Sequence, residues 1–359
     1  MKRIMFVISS LGGGGAERVV TMVSSFLANK KEYKVSIIAM CKKKPEYEYS
    51  NDISLNYIEN GDDHTFNKMS VLKRLIKIRQ IIKREKPDKI ISFLTLESVY
   101  TFIACTFTKY RKRISFAIRS NPKMEKGIIA KVFSFFVKRV KFIITQNSGQ
   151  KEYYINKTNA EIYIIPNPIQ LDLINYEKKH QKIPAKIVSV GRLIEKKNFL
   201  ITIDAFSMLK RKYPNLQLFI YGTGPMLDKI NDSIAEKKLN GSVFVMGFET
   251  ERKKIYGDKD IFLLASAYEG MPNVLIEAMC MGVPSISSNC EYGPKDLILN
   301  EKMGILFNEI NVDSIYNSLE NMILNYEYYT NNIDETRKKL IELYSPEIII
   351  NKWIEFIEM

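Results

Sequence analysis

Histidine is nearly missing from this 359-residue chain: His64 and His180 are the only two, both in polar stretches. A histidine-based triad or a multi-histidine metal centre is therefore not expected. Cysteine is also sparse. Cys41, Cys105, Cys280 and Cys290 form no C-x-x-C pair, so neither a zinc site nor a disulfide framework is indicated. No stretch reaches the roughly 18 uncharged apolar residues of a membrane span. The first apolar run, Ile4-Met5-Phe6-Val7-Ile8, has strand length and does not resemble a signal peptide. Cytosol is the expected compartment. Acid is scarce in one half only. Residues 1–170 carry 14 Asp/Glu against 31 Lys/Arg, a net of +17, while the remainder carries 26 against 23, a net of −3. A half so poor in acid points to a polyanionic surface or substrate; anionic membrane and nucleic acid both qualify.

What is present is foldable. Hydrophobic residues make up 46% and charged ones 26%, far from a disordered composition, and the length calls for two domains. In the first half, residues 2–8 read as a strand, followed by a glycine loop (Ser9 to Gly15) and a helix from about Ala16 to Asn29. The four glycines do not make a dinucleotide fingerprint, because Glu17 stands where the third glycine belongs. Strands are also expected over 35–40, 90–94 and 162–165. Residues 68–86 and 123–144 read as basic amphipathic segments whose mixture of apolar, aromatic and basic residues suits a membrane interface. Pro166-Asn167-Pro168 breaks the chain, and the aperiodic polar residues 169–184 read as a linker. Strand-like runs at 186–190, 216–221, 243–246, 261–264 and 284–287 then alternate with helical patterns at 198–212, 225–238, 250–257, 274–282 and 311–325. That alternation predicts a parallel sheet covered on both faces. The expected boundaries are a domain over 1–168, a linker over 169–184, a domain over 185–345 and an amphipathic final helix over 346–359 that holds the single tryptophan, Trp353.

The most informative stretch runs from Glu269 to Glu277, E-G-M-P-N-V-L-I-E. It follows the buried-strand pattern Ile261-Phe262-Leu263-Leu264, is broken by Gly270 and Pro272, and resumes with helical spacing from Val274. A loop at the carboxyl end of a parallel strand therefore feeds a helix amino terminus, whose free N–H groups favour phosphate. Glu269 and Glu277 bracket that cradle. They would repel a phosphate but suit hydroxyl-rich groups on either side of it, which describes a nucleotide sugar. Arg192 and Lys197 fall just past the strand 186–190, also at a carboxyl end, with Lys196 as a neighbouring competitor. Asp258-Lys259-Asp260 is a D-x-D of the kind that can hold manganese, but it precedes a strand and so lies at the wrong end of the sheet. Asp62-Asp63, in a polar loop, is no better placed.

Two glutamates eight positions apart, in E-G-x-P and E-A-M-x-x-G-x-P, resemble the signature of retaining glycosyltransferase family 4. Four more blocks agree in order: G-G-G-A-E-R-V-V (Gly13 to Val20), V-G-R-L-I-E-K-K-N (Val190 to Asn198), Y-G-T-G-P (Tyr221 to Pro225) and Y-G-P-K-D-L-I (Tyr292 to Ile298). The resemblance spans nearly the whole chain. It implies an α/β chain of the GT-B fold, with two Rossmann-like parallel-sheet domains facing each other across a cleft and a last helix crossing back to the first domain.

Site roles follow from the same resemblance. Arg192 and Lys197 hold the leaving diphosphate, with Asn198 where relatives usually have glycine. Glu269 orients the sugar and Glu277 grips the ribose. Gly14 and Gly15 face the diphosphate. Gly222, Gly224, Gly247, Phe248 and the loop residues Gly270, Met271, Pro272, Asn273, Val274 and Leu275 contact the donor. Phe116 to Pro122 is similar to a segment of polysaccharide-assembly relatives, which implies that Arg119 and Asn121 line the cleft. Tyr292 and Gly293 line the sugar end of the pocket, with Asp296 where relatives have Glu. No cofactor and no metal are implied. Retention rests on the resemblance alone.

The expected reaction moves a hexosyl or N-acetylhexosaminyl unit from a nucleoside diphosphate sugar, UDP by preference, to a lipid-linked saccharide. An anionic membrane surface would account for the basic half, with the chain peripheral on the inner face of the cell membrane. Two other classes compete. A GT-B sugar-nucleotide epimerase would use one soluble substrate and leave the basic helices without a purpose. A nucleic-acid-binding protein would need a surface platform of aromatics and would leave the paired glutamates idle.

Overall fold

A computed structural model of the chain describes residues 1–12, 14–45, 47–59, 70–123 and 127–359. Gly13, Asp62, Asp63, His64, Lys68 and Met69 lie outside the described residues. The chain forms two compact units, Met1–Asn167 with Ile349–Met359, and Pro168–Ile348.

The first unit is built on β1 (Lys2–Ile8), β2 (Tyr33–Cys41), β3 (Ser54–Glu59), β4 (Lys89–Phe93), β5 (Ile114–Ala117), β6 (Phe142–Thr145) and β7 (Glu161–Ile164). All pairings are parallel, in the order β3-β2-β1-β4-β5-β6-β7. The second is built on β8 (Lys186–Val190), β9 (Gln217–Tyr221), β10 (Val243–Gly247), β11 (Ile261–Leu264), β12 (Ser285–Ser288) and β13 (Ile305–Phe307), again parallel, in the order β10-β9-β8-β11-β12-β13. Strands covered on both faces read as unbroken apolar runs, and Ile4 to Ile8 and Ile261 to Leu264 are fully buried accordingly. In each sheet the order reverses once, between β1 and β4 and between β8 and β11. Open α/β sheets bind their ligands at the carboxyl ends of the strands beside such a reversal.

Helices cover both faces. In the first unit, Val71–Glu85, Thr95–Cys105 and Gly127–Val137 bury Ile78, Ile82, Phe102 and Phe133 on one side. Gly15–Ala28 and the carboxyl-terminal helix Pro346–Glu358 bury Val19, Val23, Leu27, Trp353 and Phe356 on the other. Trp353 stacks on Phe93, with centroids 5.8 Å apart.

Three expectations are corrected. Residues 169–184 are not a free linker. Ile169 and Leu173 are buried in the core of the second unit, and Lys178 Nζ donates to the carbonyls of Tyr256 and Gly257 at 3.1 and 2.9 Å. The apolar residues of this stretch are simply too few to show a period. Residues 123–144 do not form one segment, because the helix ends at Val137 and Phe142 opens β6. Arg74, one of the bases of the amphipathic segment 68–86, does not face a membrane interface: it is buried and pairs with Glu59, while its Nη1 donates to the Tyr100 hydroxyl at 3.2 Å. Helical position 74 faces inward with Ile78 and Ile82, so its charge needs a partner there.

Lys89 fastens the returning helix. Its ammonium donates to the Phe356 carbonyl and lies 4.2 and 5.4 Å from the ring centroids of Phe356 and Phe142. Burial pushes its pKa down to about 8 from 10.5. A lysine whose folded pKa is depressed costs stability below that value, and the cost fades as pH rises toward the unfolded pKa. The stability advantage of Lys89→Met over the parent chain should therefore be largest near pH 7 and shrink between pH 8 and 10.5, as read from paired denaturant titrations.

Candidate active site

The loops that leave β8 and β11 carry the residues singled out in the sequence, and the reversal of strand order brings them together. Asn198 joins the two loops. It takes a left-handed conformation (φ 54°, ψ 36°) before the helix Phe199–Lys212. Asparagine is the side chain that best tolerates that region after glycine. This suits its place where the resemblance implies a glycine. Its Nδ2 donates to the Ala265 carbonyl at 2.7 Å, while the Ala267 amide donates to the Lys196 carbonyl at 2.8 Å. Laced in this way, Lys197 Nζ meets Glu269 Oε1 at 2.5 Å, both side chains about one-eighth exposed. Gly191 makes room for the lysine: a Cβ there would meet Lys197 Cε at 3.1 Å.

The neighbouring turns lock onto this pair. The Gly191 amide donates to the Tyr221 carbonyl at 2.9 Å, and the Gly222 amide to the Gly247 carbonyl at 2.7 Å. Gly222 (φ +140°) packs so closely that a Cβ would lie 1.9 Å from the Gly191 oxygen. A Cβ on Gly224 would lie 2.4 Å from the Leu193 oxygen, and one on Gly293 2.6 Å from the Gly270 oxygen. The Y-G-P block is thereby wedged against the E-G-x-P loop.

Glu277, in the helix Asn273–Cys280, is buried. Arg252 Nε lies 2.9 Å from its Oε2, and the Tyr256 hydroxyl donates to the same oxygen at 3.3 Å. Arg252 and Tyr256 are partners of Glu277 that the sequence reading passed over. Their signal was present: four residues apart in the helix Arg252–Tyr256, they share one face. Tyr268 was missed as well; the Lys196 ammonium lies 4.5 Å from its ring centroid. Burial lowers the pKa of Lys196, with Lys197 and Arg192 acting in the same direction and Glu269 opposing. Arg192 is exposed. Cys290 lies beside Glu269, and burial pushes its thiol up to about 11, so it is no thiolate nucleophile at neutral pH.

The remaining predicted positions divide. Gly270, Met271, Pro272, Val274 and Leu275 lie on the loop and first turn beside Glu269, with Pro272 capping the helix that Asn273 begins. Phe248 is exposed just past β10, after Gly247 (φ +74°). Tyr292 and Gly293 are buried within the second unit. In the first unit, Gly14 caps the helix that Gly15 begins, at the carboxyl end of β1. Asn121 accepts from the Lys123 amide at 2.9 Å, closing a local turn. Arg119 Nη1 donates to Ile165 O and Asn167 Oδ1, each at 3.2 Å. Its guanidinium stands 5.1 Å from the Phe93 ring and 5.5 Å from that of Trp353, and burial lowers its pKa to about 9. The D-x-D residues sit at the amino end of β11. Asp260 Oδ2 accepts from the amides of Ala185 and Lys186 at 2.8 Å each, and Asp258 pairs with Lys186. Among the described residues no three His, Cys, Asp or Glu form a group able to hold a metal ion.

Because Gly222 is wedged against backbone, Gly222→Ala should destabilise the second unit by about 3 kcal/mol, the sum of overpacking and backbone strain. Chemical denaturation would read it, with Ala235→Gly in the helix Leu227–Glu236 as a milder reference.

Residues 174–339 match the family described as Glycosyl transferases group 1, and residues 14–147 match Glycosyl transferase 4-like. The chain is 28% identical over 254 residues to an uncharacterized glycosyltransferase of Methanocaldococcus jannaschii, spanning 64% of this chain and 63% of that one. It is 27% identical to the GalNAc-alpha-(1->4)-GalNAc-alpha-(1->3)-diNAcBac-PP-undecaprenol alpha-1,4-N-acetyl-D-galactosaminyltransferase of Campylobacter jejuni, over 99% of this chain and 98% of that one. Staphylococcus aureus TarM, solved with UDP, superposes at a TM-score of 0.79 with 16% identity, covering 100% of both chains. Two parallel-sheet units in this order, with both domain families matched along the chain, make it a GT-B glycosyltransferase of family 4.

Proposed function

We propose that this glycosyltransferase moves a hexosyl or N-acetylhexosaminyl unit, with retention, from a UDP-sugar to a lipid-linked saccharide at the inner face of the cell membrane, in surface polysaccharide or glycan assembly. The observation that carries the reading is the pairing of Lys197 with Glu269 where the strand order reverses. One cation and one carboxylate stand side by side there, next to the amino terminus of the helix Asn273–Cys280. This arrangement suits a ligand with a diphosphate and a hydroxyl-bearing ring in succession. UDP in TarM and the undecaprenyl diphosphate in the name of the Campylobacter relative's substrate support the donor and acceptor classes.

In the proposed reaction the acceptor hydroxyl attacks the donor's anomeric carbon on the face from which UDP departs. The bond from that carbon to the β-phosphate oxygen breaks as the new glycosidic bond forms. The acceptor proton passes to a leaving phosphate oxygen. Arg192, Lys197 and the helix N–H groups take up the charge that grows on the diphosphate, a task for which no metal is required. Lys197 is held by Glu269 before any donor arrives. Diphosphate binding would draw the ammonium away and release the carboxylate to the sugar hydroxyls. Glu277, aimed by Arg252 and Tyr256, would receive the ribose.

Two experiments test this. A panel of nucleotide sugars, assayed in EDTA with an undecaprenyl-diphosphate saccharide, should show turnover of a UDP-sugar. Activity that chelation abolishes and manganese restores would defeat the metal-free reading. Lys197→Ala should lower kcat by about 100-fold or more, since the lysine faces charge that develops in the transition state. Glu277→Gln should mainly raise the donor KM, because the ribose does not change during transfer. Equal losses of kcat from both would reassign the roles.

A further inference from the structure

The first unit wears most of its exposed apolar residues on one face. Among the described residues, eleven large hydrophobic side chains of this unit are exposed, and eight of them lie from Val71 to Phe135. They belong to the three helices that cover one side of the sheet, or to the turn just after the middle one. In the second unit the exposed apolar residues, from Ile183 and Met208 to Leu324 and Ile348, are scattered over unrelated elements.

The helix Val71–Glu85 turns Ile78, Ile81 and Ile82 into the core, yet Leu72 and Ile76 stand 66% and 48% exposed beside exposed Lys73 and Lys83. The helix Gly127–Val137 buries Phe133 and Val137, yet turns Ile128 and Phe135 outward at 80% and 52%, with Lys131 and Lys138 between and after them. Core packing accounts for none of these outward residues. The two helices carry a single acid, Glu85, which is nearly buried and paired with Arg84. Between them, Phe107 is 96% exposed and held at φ 60°, a strained backbone for a bulky side chain, and is followed by Lys109, Arg111 and Lys112.

We infer that this three-helix face lies flat on an anionic bilayer. Leu72, Ile76, Phe107, Ile128 and Phe135 enter the headgroup boundary, and the interleaved lysines and arginines meet lipid phosphates. The inference rests on the proposed lipid-linked acceptor and gives that acceptor's membrane a surface to meet. The basic surplus of the first half, +17 against −3, is the matching charge. Nucleic acid would be served by the bases alone and gives no reason to expose isoleucine.

Vesicle co-sedimentation tests it, with phosphatidylglycerol–phosphatidylcholine vesicles against phosphatidylcholine alone. The parent chain should bind the anionic vesicles and release them as salt rises. The combined Leu72→Ser, Ile76→Ser, Ile128→Ser and Phe135→Ser variant should bind about tenfold more weakly or less. Phe107→Gly, which relieves the backbone strain, should bind more weakly while its Tm holds or rises. Leu324→Ser, exposed in the second unit, should bind normally. UDP should raise the Tm of every variant, so a failed docking surface and a failed donor site read out separately. Equal binding to neutral and anionic vesicles would overturn the proposal. So would full binding by the four-serine variant when only Lys73→Gln, Lys83→Gln, Lys131→Gln and Lys138→Gln weaken it; that outcome points to a soluble polyanion.

Discussion

Lys197 and Glu269 stand 2.5 Å apart on two loops tied together by Asn198 and by the Ala267 amide. The loops leave different strands, β8 and β11, that are neighbours in the sheet although some 70 residues apart in the chain. Nothing local would hold two such loops in register. The lacing uses backbone on one side and a single side-chain amide on the other, with glycines at each place where two turns must touch. Replace one of those glycines and backbone meets Cβ, so the pair would lose its geometry before it lost its charges.

A lysine and a glutamate this poorly hydrated are costly to separate, since either alone would be left as a buried unpaired charge. That cost makes the pair a device for holding both groups in position without a ligand. In the proposed reaction it also means that the donor's diphosphate must compete with Glu269 for the ammonium. The opposite arrangement holds at Glu277, whose cation, Arg252, lies on the protein's own helix and orients the carboxylate from behind. One glutamate is thus matched to a cation from a neighbouring loop that the proposed reaction assigns to the ligand, and the other to a cation that orients it from behind. The eight-residue spacing seen in the sequence does not by itself distinguish them.

Much of this was legible. Unbroken apolar runs located β1, β2, β4, β7 and β8 to β12, glycine and proline located the loops, and the E-G-M-P-N-V-L-I-E stretch located the helix beside Glu269. What escaped notice lies at an edge, in short strands and in a helix buried nearly all round. β3 alternates polar and apolar residues and is only half buried, β5 and β6 have four residues each and β13 three, and Thr95–Cys105 buries Glu97, Ser98 and Thr101 along with its apolar residues, so it shows no amphipathic period. At the site, Arg192, Lys197, Glu269 and Glu277 were singled out from motif and chain direction. Arg252, Tyr256 and Tyr268, which touch Glu277 and Lys196, were not, because such contacts join separate elements.

Charge was the feature most easily misread. A run of lysines and arginines on an amphipathic pattern invites the conclusion that the apolar face is inside and every base outside. The helix Val71–Glu85 does otherwise: Arg74 turns inward to Glu59, and Lys77 donates to the Ile58 carbonyl at 2.6 Å. Leu72 and Ile76 meanwhile turn out toward solvent. Two inward bases are thereby spent on the fold, and the outward surface is less basic and more apolar than the composition suggests. Electrostatic attraction alone needs only the bases, whereas exposed aliphatic side chains gain free energy only by leaving water. Such a surface is better matched to a lipid interface, which offers both phosphate and hydrocarbon, than to any soluble polyanion.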